Sequence, residues 1–313
     1  MVIQKRIYEI TISKEEEIKQ DKLKIILMRK AELINEKLPL VIVLHGTGAD
    51  KEHQQLKPLT IPLVQNNFEV LTMDSRYHGE RANGKTKEEK RESYMQALIR
   101  SWKYEKSEVR QEFPFIFDTV FDIMRVIDYL EQNQSDVIDI KKIGITGISL
   151  GGMHSWFSAV ADPRISVVVP LIGVQNFQFA LENDLWKERV ETIKDVFEVA
   201  RVDLGKKEID KYVVEKVWNK ITPGILNYFD STSSLRCIAP RPLLILNGEI
   251  DLRCPKQGIE ISYSSLLEYY NQLGVPDHCK LFFASNIGHA ITDEQFQMTI
   301  NWFVQHFQKS NLS

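Results

Sequence analysis

The pattern of apolar and polar residues changes along the chain and predicts two kinds of β-strand. Near the N-terminus, residues 7–12 alternate between apolar and polar side chains, and residues 23–28 form a second run that favours a β-strand. Together they resemble an antiparallel entry to a sheet. Further on, the apolar runs become continuous, as expected for parallel strands buried on both faces. These runs comprise residues 40–44, 69–73, 142–146, 167–169, 243–246 and 280–284.

Helical periodicity occupies the intervals between most of these strands. Apolar residues are spaced for helices that pack on a sheet in residues 53–66, 117–132, 150–161, 257–273 and 293–308. Strands that alternate with helices predict an α/β fold, with a mostly parallel central sheet, flanking helices and antiparallel N-terminal strands. A chain of 313 residues with 43% hydrophobic content supports a substantial core, and we expect one domain over residues 1–313.

Two stretches are longer than the connections of such a sheet require, residues 79–113 and 174–236. Both follow predicted strand ends, and the carboxyl ends of the strands carry the ligand site in open α/β sheets. We therefore predict that residues 174–236 form a helical cap inserted in the single domain. Aromatic side chains such as Trp186 and Trp218 would equally suit a packed helical appendage.

Charge and cysteine content limit the classes of partner. The net charge is −3, and 40 basic residues are interspersed with 43 acidic ones, so no basic patch indicates nucleic acid or an anionic membrane. We expect no membrane span and no signal peptide, and the expected partner is a small molecule. Three cysteines without metal-site spacing indicate reduced thiols in a cytoplasmic protein, namely Cys237, Cys254 and Cys279. No heptad pattern specifies an oligomeric state.

The main chemical signal is a Gly-x-Ser-x-Gly pentad, Gly147 to Gly151, directly after a predicted strand. A sharp turn from strand to helix would expose the hydroxyl of Ser149 as a nucleophile. The small residues give the strand and helix backbones room to approach each other. Such a pentad can arise by chance, so its context has to decide.

The residues that a nucleophilic serine needs occur downstream in the expected order. A serine hydroxyl requires a positioned base and an acid that orients the base. Asp251 follows the predicted strand 243–246, and His289 follows the last predicted strand. The order Ser149, Asp251, His289 is that of an α/β-hydrolase triad. Glu249 is the alternative orienting acid, because it lies nearer the end of the strand.

With these motifs the chain resembles the α/β-hydrolase superfamily over roughly residues 22–308. It is most similar to the dienelactone hydrolase, acetyl-xylan esterase and prolyl-oligopeptidase-like branches. Besides the serine turn and the two downstream loops, the matching segments are residues 45–48 and 74–79, each after a predicted strand.

This resemblance implies a role for each site residue. Ser149 would attack an acyl carbonyl, His289 would transfer protons and Asp251 would orient the imidazole. The backbone N–H of Leu150 would be one oxyanion donor. The second would be Thr47, with Gly48 as the alternative.

Other titratable residues near these motifs have less direct expected roles. We expect His45 to brace the oxyanion loop and His154 to pack in the core. His78, together with Arg76, either lines the pocket or braces the fold through an ion pair with Asp74 or at a helix end. Cys254 is expected to be a small packed side chain.

The predicted reaction is hydrolysis of a carboxylic ester through an acyl-enzyme intermediate. Neither a metal nor an organic cofactor is implied, because the chain has no zinc-site or dinucleotide-binding motif. A peptidase or a thioesterase could use the same triad. A ligand-binding protein that retains the hydrolase fold is the alternative from another class, and it would lack the three residues in bonding order.

Overall fold

The computed structural model describes residues 1–12, 19–105 and 111–308. The strands of this part are β1 (Ile3–Thr11), β2 (Lys22–Lys30), β3 (Leu38–Leu44), β4 (Glu69–Met73), β5 (Ile138–Ile148), β6 (Ile165–Leu171), β7 (Leu243–Gly248) and β8 (Cys279–Ala284). Its helices are α1 (Lys57–Gln65), α2 (Lys87–Lys103), α3 (Phe117–Asn133), α4 (Leu150–Ala161), α5 (Phe177–Glu182), α6 (Lys187–Glu191), α7 (Lys194–Asp203), α8 (Lys211–Ile221), α9 (Ser231–Ser234), α10 (Lys256–Gln272) and α11 (Asp293–Phe307).

The strands form one eight-stranded sheet in the order β1-β2-β4-β3-β5-β6-β7-β8. β1 and β2 are antiparallel, β2 is antiparallel to β4, and every pair from β4 to β8 is parallel. Parallel neighbours require crossover connections, which the helices supply. The predicted fold, a mostly parallel sheet with antiparallel N-terminal strands and flanking helices, is confirmed.

The central strands are buried on both faces, which accounts for their continuous apolar runs. In β3, Leu40 and Ile42 belong to the hydrophobic cluster on one face, whereas Val41 and Val43 belong to the cluster on the other. Successive side chains of a strand point to opposite faces, so a strand between two helical layers has no polar side. Helices α3, α4 and α10 contribute to the first cluster, and α1 and α11 contribute to the second.

Helix α2 lies within residues 79–113, where the sequence pattern predicts an insertion but no helix. It begins with a capping box, in which Thr86 and Glu89 each accept a hydrogen bond from the other's backbone N–H. Its buried face consists of a few apolar side chains, including Leu98 and Trp102, on an otherwise charged helix. Such a narrow apolar stripe gives a weak periodic signal.

Between β6 and β7 the chain forms five short helices, α5 to α9, within residues 174–236. The ring of Trp218 lies 5.1 Å from that of Phe197, 5.6 Å from that of Phe177 and 5.4 Å from that of Phe115. Because Phe115 belongs to the main hydrophobic cluster, the aromatic residues of this segment pack onto the core. Among the helices of the described ranges, none has the length and apolar character needed to cross a membrane.

Candidate active site

Ser149 lies at a strained turn between β5 and α4. Its backbone has φ 55° and ψ −108°, a conformation that non-glycine residues rarely adopt and that costs free energy. The backbone N–H of Ser149 donates to the carbonyl of Leu171 at 2.9 Å, which fixes the turn against β6. The side chain is partly exposed, so the turn presents the hydroxyl at the carboxyl end of the sheet.

The glycines of the pentad are needed for close backbone approach. A Cβ atom on Gly147 would lie 2.5 Å from the backbone of Gly151, and one on Gly151 would lie 2.5 Å from the carbonyl oxygen of Leu44. Real Cβ atoms do not approach other atoms so closely, and the neighbouring atoms are backbone, which cannot move aside. The turn therefore requires glycine at both positions.

The structure brings Ser149, His289 and Asp251 together in one hydrogen-bonded chain. Ser149 Oγ lies 2.8 Å from His289 Nε2, and His289 Nδ1 lies 2.7 Å from Asp251 Oδ2. Because an ionised carboxylate only accepts hydrogen bonds, Nδ1 carries the proton and Nε2 is free to accept from the serine hydroxyl. In this tautomer the imidazole is arranged to remove the serine proton.

The loop that carries Asp251 holds its carboxylate in the ionised form. Asp251 Oδ1 accepts hydrogen bonds from the backbone N–H groups of Arg253 at 2.8 Å and Cys254 at 3.2 Å. Burial alone would raise the pKa of Asp251, but the hydrogen bonds from His289 and from the Arg253 N–H outweigh it and lower the pKa. Burial also dominates at His289, where it lowers the pKa in spite of Asp251. The imidazole is therefore neutral at pH 7 and able to accept a proton.

Glu249, the alternative acid, is engaged elsewhere. Its carboxylate lies 3.0 Å from Lys256 Nζ and accepts from the backbone N–H of Asn286 at 3.2 Å. These contacts tie the loop after β7 to the loop after β8. The geometry thus favours Asp251 as the partner of His289.

Two further histidines connect loops around the site. His45 Nε2 accepts from the backbone N–H of Ser75 at 3.0 Å, and its Nδ1 therefore donates to the carbonyl of Gly46 at 2.8 Å. His154 Nε2 lies 3.1 Å from the carbonyl oxygen of Phe115. Both rings are fully buried, and burial lowers their pKa, for His154 to about 3. The bracing and packing roles expected for them agree with these contacts.

The loop after β3 lies directly against the serine turn. A Cβ atom on Gly46 would be 3.7 Å from the Cβ of Ser149, so Thr47 and Gly48 follow at a position next to the nucleophile. Both are exposed. Leu150 is the first residue of α4, where a backbone N–H has no intrahelical acceptor. The backbone groups proposed as oxyanion donors therefore lie on the two segments nearest Ser149.

The ion pairs behind this loop differ from the expected ones. Asp74 pairs with Lys51, whose Nζ lies 2.7 Å from Oδ2, and not with His78 or Arg76. Arg76 instead makes two hydrogen bonds to Asp122, at 2.9 and 2.8 Å. His78 Nδ1 donates to the carbonyl of Arg76 at 2.9 Å, and His78 lines a cavity beside Thr47. The expected ion pair between His78 and Asp74 is therefore not observed, whereas the position of His78 agrees with the alternative that it lines a pocket.

One group of side chains in the described ranges has the composition of a metal site. Ligand atoms of Asp251, Cys254 and His289 lie within 4.8 Å of one another. The Asp251 and His289 atoms already share a hydrogen bond, and burial raises the pKa of Cys254 to about 12. A protonated thiol is a weak ligand, and Arg189 lies 3.1 Å from its Sγ. This donor set fits a hydrogen-bonded site better than a cation.

Comparison with known proteins identifies the fold of this site. The acetyl xylan esterase 1 of Thermoanaerobacterium sp. JW/SL YS485 superposes with a TM-score of 0.60 at 16% identity, over 97% of this chain and 88% of that one. The similarity thus extends over nearly the whole of both chains. The chain has the α/β-hydrolase fold.

Sequence comparison finds similarity to proteins described as esterases or hydrolases. A family model described as "Glucuronyl esterase, fungi" matches residues 119–274, just under half of the chain, and includes Ser149 and Asp251. "Putative esterase YitV" of Bacillus subtilis (strain 168) is 21% identical over 276 residues, 88% of this chain and 91% of the relative. "Putative hydrolase YtaP" of the same organism is 26% identical over 170 residues.

The YtaP match covers 54% of this chain and 47% of the relative, so the matched region is about half of each protein. The descriptions of the family model and of YitV bear out the predicted enzyme class, a carboxylic ester hydrolase. They also agree with the esterase branch that the sequence resembles.

Proposed function

We propose that this α/β-hydrolase cleaves a carboxylic ester of a small-molecule substrate through an acyl-enzyme intermediate. Ser149 is the nucleophile, His289 the general base and acid, and Asp251 the residue that orients the imidazole. The observation that carries this proposal is the pair of hydrogen bonds from Ser149 Oγ to His289 Nε2, 2.8 Å, and from His289 Nδ1 to Asp251 Oδ2, 2.7 Å. A ligand-binding protein on the same fold would not need these residues in bonding order.

The reaction then proceeds in two balanced halves. Ser149 Oγ attacks the carbonyl carbon while His289 Nε2 takes the hydroxyl proton, and the tetrahedral intermediate collapses when His289 protonates the departing alcohol. Water attacks the acyl-enzyme in the same way and releases the acid. The backbone N–H groups of Leu150 and Thr47 stabilise both oxyanions, with Gly48 as the alternative to Thr47.

The helical segment 174–236 is proposed to be the cap of this site. Arg189 on α6 is buried and donates to Cys254 Sγ at 3.1 Å and to the carbonyl of Arg253 at 3.4 Å. The segment thus reaches the loop of Asp251. We expect substrates to enter between this segment and the loop after β3.

A cytoplasmic location is part of the same proposal. Cys237, Cys254 and Cys279 are free thiols. Unpaired cysteines are typical of proteins from reducing compartments.

Ester hydrolysis by matched variants tests the proposed function. Purified wild type, Ser149→Ala and Ser264→Ala would be compared on p-nitrophenyl esters, thioesters and aminoacyl amides. Ser264 is an exposed serine on α10, so its variant controls for the loss of a hydroxyl. We expect Ser149→Ala to lose about 10⁴-fold or more in kcat, because triad members act as a unit, and Ser264→Ala to retain wild-type rates. Equal rates in all three proteins would refute the nucleophile, and a preference for amides or thioesters would replace the ester by that substrate class.

A further inference from the structure

A cavity of about 320 Å³ lies beside the proposed oxyanion loop. Thr47 and Gly48 form one part of its wall, and the start of α2 with the residues before it forms another. The same loop packs against the serine turn through Gly46. The cavity and the nucleophile therefore share this loop, and a substrate bound at Ser149 would extend a second group past it into the cavity.

The wall of this cavity has a strong positive charge. It includes Lys85, Lys87, Lys90 and Arg91, and its acidic member is Asp50. The chain as a whole has a net charge of −3, so this concentration of cations is local. A cavity lined by one sign of charge favours ligands of the opposite sign.

Most of these cations lack an internal counter-ion. Within the described ranges, no carboxylate lies within ion-pair distance of the amines of Lys85, Lys87 or Lys90, whereas Arg91 is 3.5 Å from Asp195. Proteins usually place acidic side chains near such clusters.

Two of the nearby acidic residues accept hydrogen bonds from backbone N–H groups. Glu89 accepts from the backbone N–H groups of Lys85 and Thr86 in the capping box, at 2.5 and 3.0 Å. Asp50 accepts from the backbone N–H of Glu52 at 2.9 Å. In the wall itself four cations accompany the single carboxylate of Asp50, so positive charge exceeds negative charge there.

The same wall holds a buried hydroxyl that nothing in the described ranges satisfies. Tyr94 is buried, and its hydroxyl has no hydrogen-bond partner there. Buried polar groups are nearly always paired, so such a group calls for a ligand or water. The neighbouring ring of His78, 4.5 Å from that of Tyr94, adds no charge because burial lowers its pKa to about 3.

Arg189 extends this positive field toward the triad. It is buried, and its hydrogen bonds go to neutral groups, Gln175, Cys254 and the carbonyl of Arg253. Burial raises the pKa of Tyr94, and the charge of Arg189 opposes this. The same charge also acts on Asp251 and His289. Arg189 is thus a cation within electrostatic reach of both the cavity and the triad.

We propose that this cavity binds an anionic group of the substrate, a carboxylate or a phosphate, so that the preferred ester is negatively charged. The lysines and Arg91 attract the anion. This inference rests on the proposed ester hydrolysis at Ser149 and specifies its substrate class.

Three p-nitrophenyl esters of equal chain length test the inference: the neutral hexanoate, the adipate monoester with a terminal carboxylate, and 6-phosphooxyhexanoate. The measured quantity is the ratio of kcat/KM for each anionic ester to kcat/KM for hexanoate. Wild type is compared with Lys85→Gln/Lys87→Gln/Lys90→Gln. The matched control is Lys37→Gln/Lys141→Gln/Lys280→Gln, which changes the net charge equally through exposed lysines at the opposite ends of the strands.

We expect the cavity variant to lower the ratio for at least one anionic ester about tenfold, since each exposed charge contact contributes roughly two- to fivefold. Its rate with hexanoate and the ratios of the control variant should stay within about twofold of wild type. The wild-type ratio should also fall as salt is added. The ester with the larger ratio identifies carboxylate or phosphate.

Equal ratios in wild type and the cavity variant, or a ratio insensitive to salt, would overturn the inference. If hexanoate is cleaved by Ser149 in that case, the proposed function stands and only the anionic substrate class fails. If hexanoate and both anionic esters are left uncleaved or are cleaved equally by Ser149→Ala, the proposed function itself fails.

Discussion

At the scale of single residues, the site depends on a serine held in an unfavourable backbone conformation. The positive φ of Ser149 is stable only because the surrounding backbones meet closely at glycines. The strain and the close packing are two aspects of the same turn. A change in either should affect both the fold and the reaction.

Substitution of Gly147 tests this dependence. The Cβ of Gly147→Ala would meet the backbone of Gly151 at 2.5 Å, and we expect a loss of about 1–3 kcal/mol in the free energy of unfolding together with a lower kcat. Chemical denaturation measures the first effect. Gly288→Ala is the control for stability, because its Cβ would meet no atom within 4 Å. Equal unfolding free energies for both variants would contradict the need for glycine in the turn.

The pH dependence of the reaction should follow His289. Burial lowers the pKa of this imidazole below its ordinary value of 6.5, and only the neutral ring can take the serine proton. The value of kcat/KM should therefore fall as the pH decreases through a midpoint below 6.5 and remain level above it. A pH profile with a hydrolytically stable ester measures this midpoint. A midpoint above 6.5 would show that His289 is more basic than its surroundings imply.

The two acidic residues of the loop after β7 should differ sharply in their effect. Asp251→Asn removes the acceptor that selects the tautomer of His289, and we expect a loss of about 10⁴-fold in kcat. Glu249→Gln weakens contacts to Lys256 and Asn286 and should change the rate less than about tenfold. Steady-state kinetics of both variants shows which carboxylate orients His289. A larger effect at Glu249 would reverse the assignment.

At the scale of helices and strands, regular patterns were predictable and long-range pairs were not. The continuous apolar run of β3 identified a buried parallel strand, and the order of motifs placed Ser149, Asp251 and His289 at strand ends. By contrast, Lys51 and Asp74 are 23 residues apart, and Arg76 and Asp122 are 46 apart. No local pattern encodes such pairs.

The sequence pattern also failed to predict the boundaries of some strands and the presence of a highly charged helix. β5 is observed at Ile138–Ile148 and begins before the predicted run 142–146, where the polar and less buried Asp139 and Lys141 interrupt the apolar pattern. The sequence pattern did not predict helix α2, because the apolar stripe of this helix is narrow. The cavity lined by the start of α2 was therefore not predicted either. The signal that could have found it is the pair Thr86 and Glu89, which has the spacing of a capping box.

Helix α6 provides a test of the proposed cap. Arg189 joins this helix to the loop of Asp251, so Arg189→Met should misplace the acid and reduce kcat about tenfold, with a smaller effect on KM. Lys187→Met, an exposed change on the same helix, is the control and should retain wild-type kinetics. If both variants match wild type in kcat, the segment does not position the acid loop.

At the scale of the whole molecule, the sheet brings distant parts of the sequence to one edge. Ser149 follows β5, Asp251 follows β7 and His289 follows β8, and parallel strands present their carboxyl ends on the same side. Two hydrophobic clusters hold this sheet from its two faces. The fold thus fixes the positions of the three residues, while the segments 79–113 and 174–236 supply surfaces that can select the substrate.

The most direct test of the central claim is covalent labelling of the nucleophile. A fluorophosphonate forms a stable adduct with an activated serine, and peptide mass spectrometry locates it. We predict one adduct on Ser149 in wild type and none in Ser149→Ala, with labelling that slows below pH 6.5 as His289 is protonated. An adduct on another residue, or equal labelling of both proteins, would contradict the assignment of Ser149 as the nucleophile.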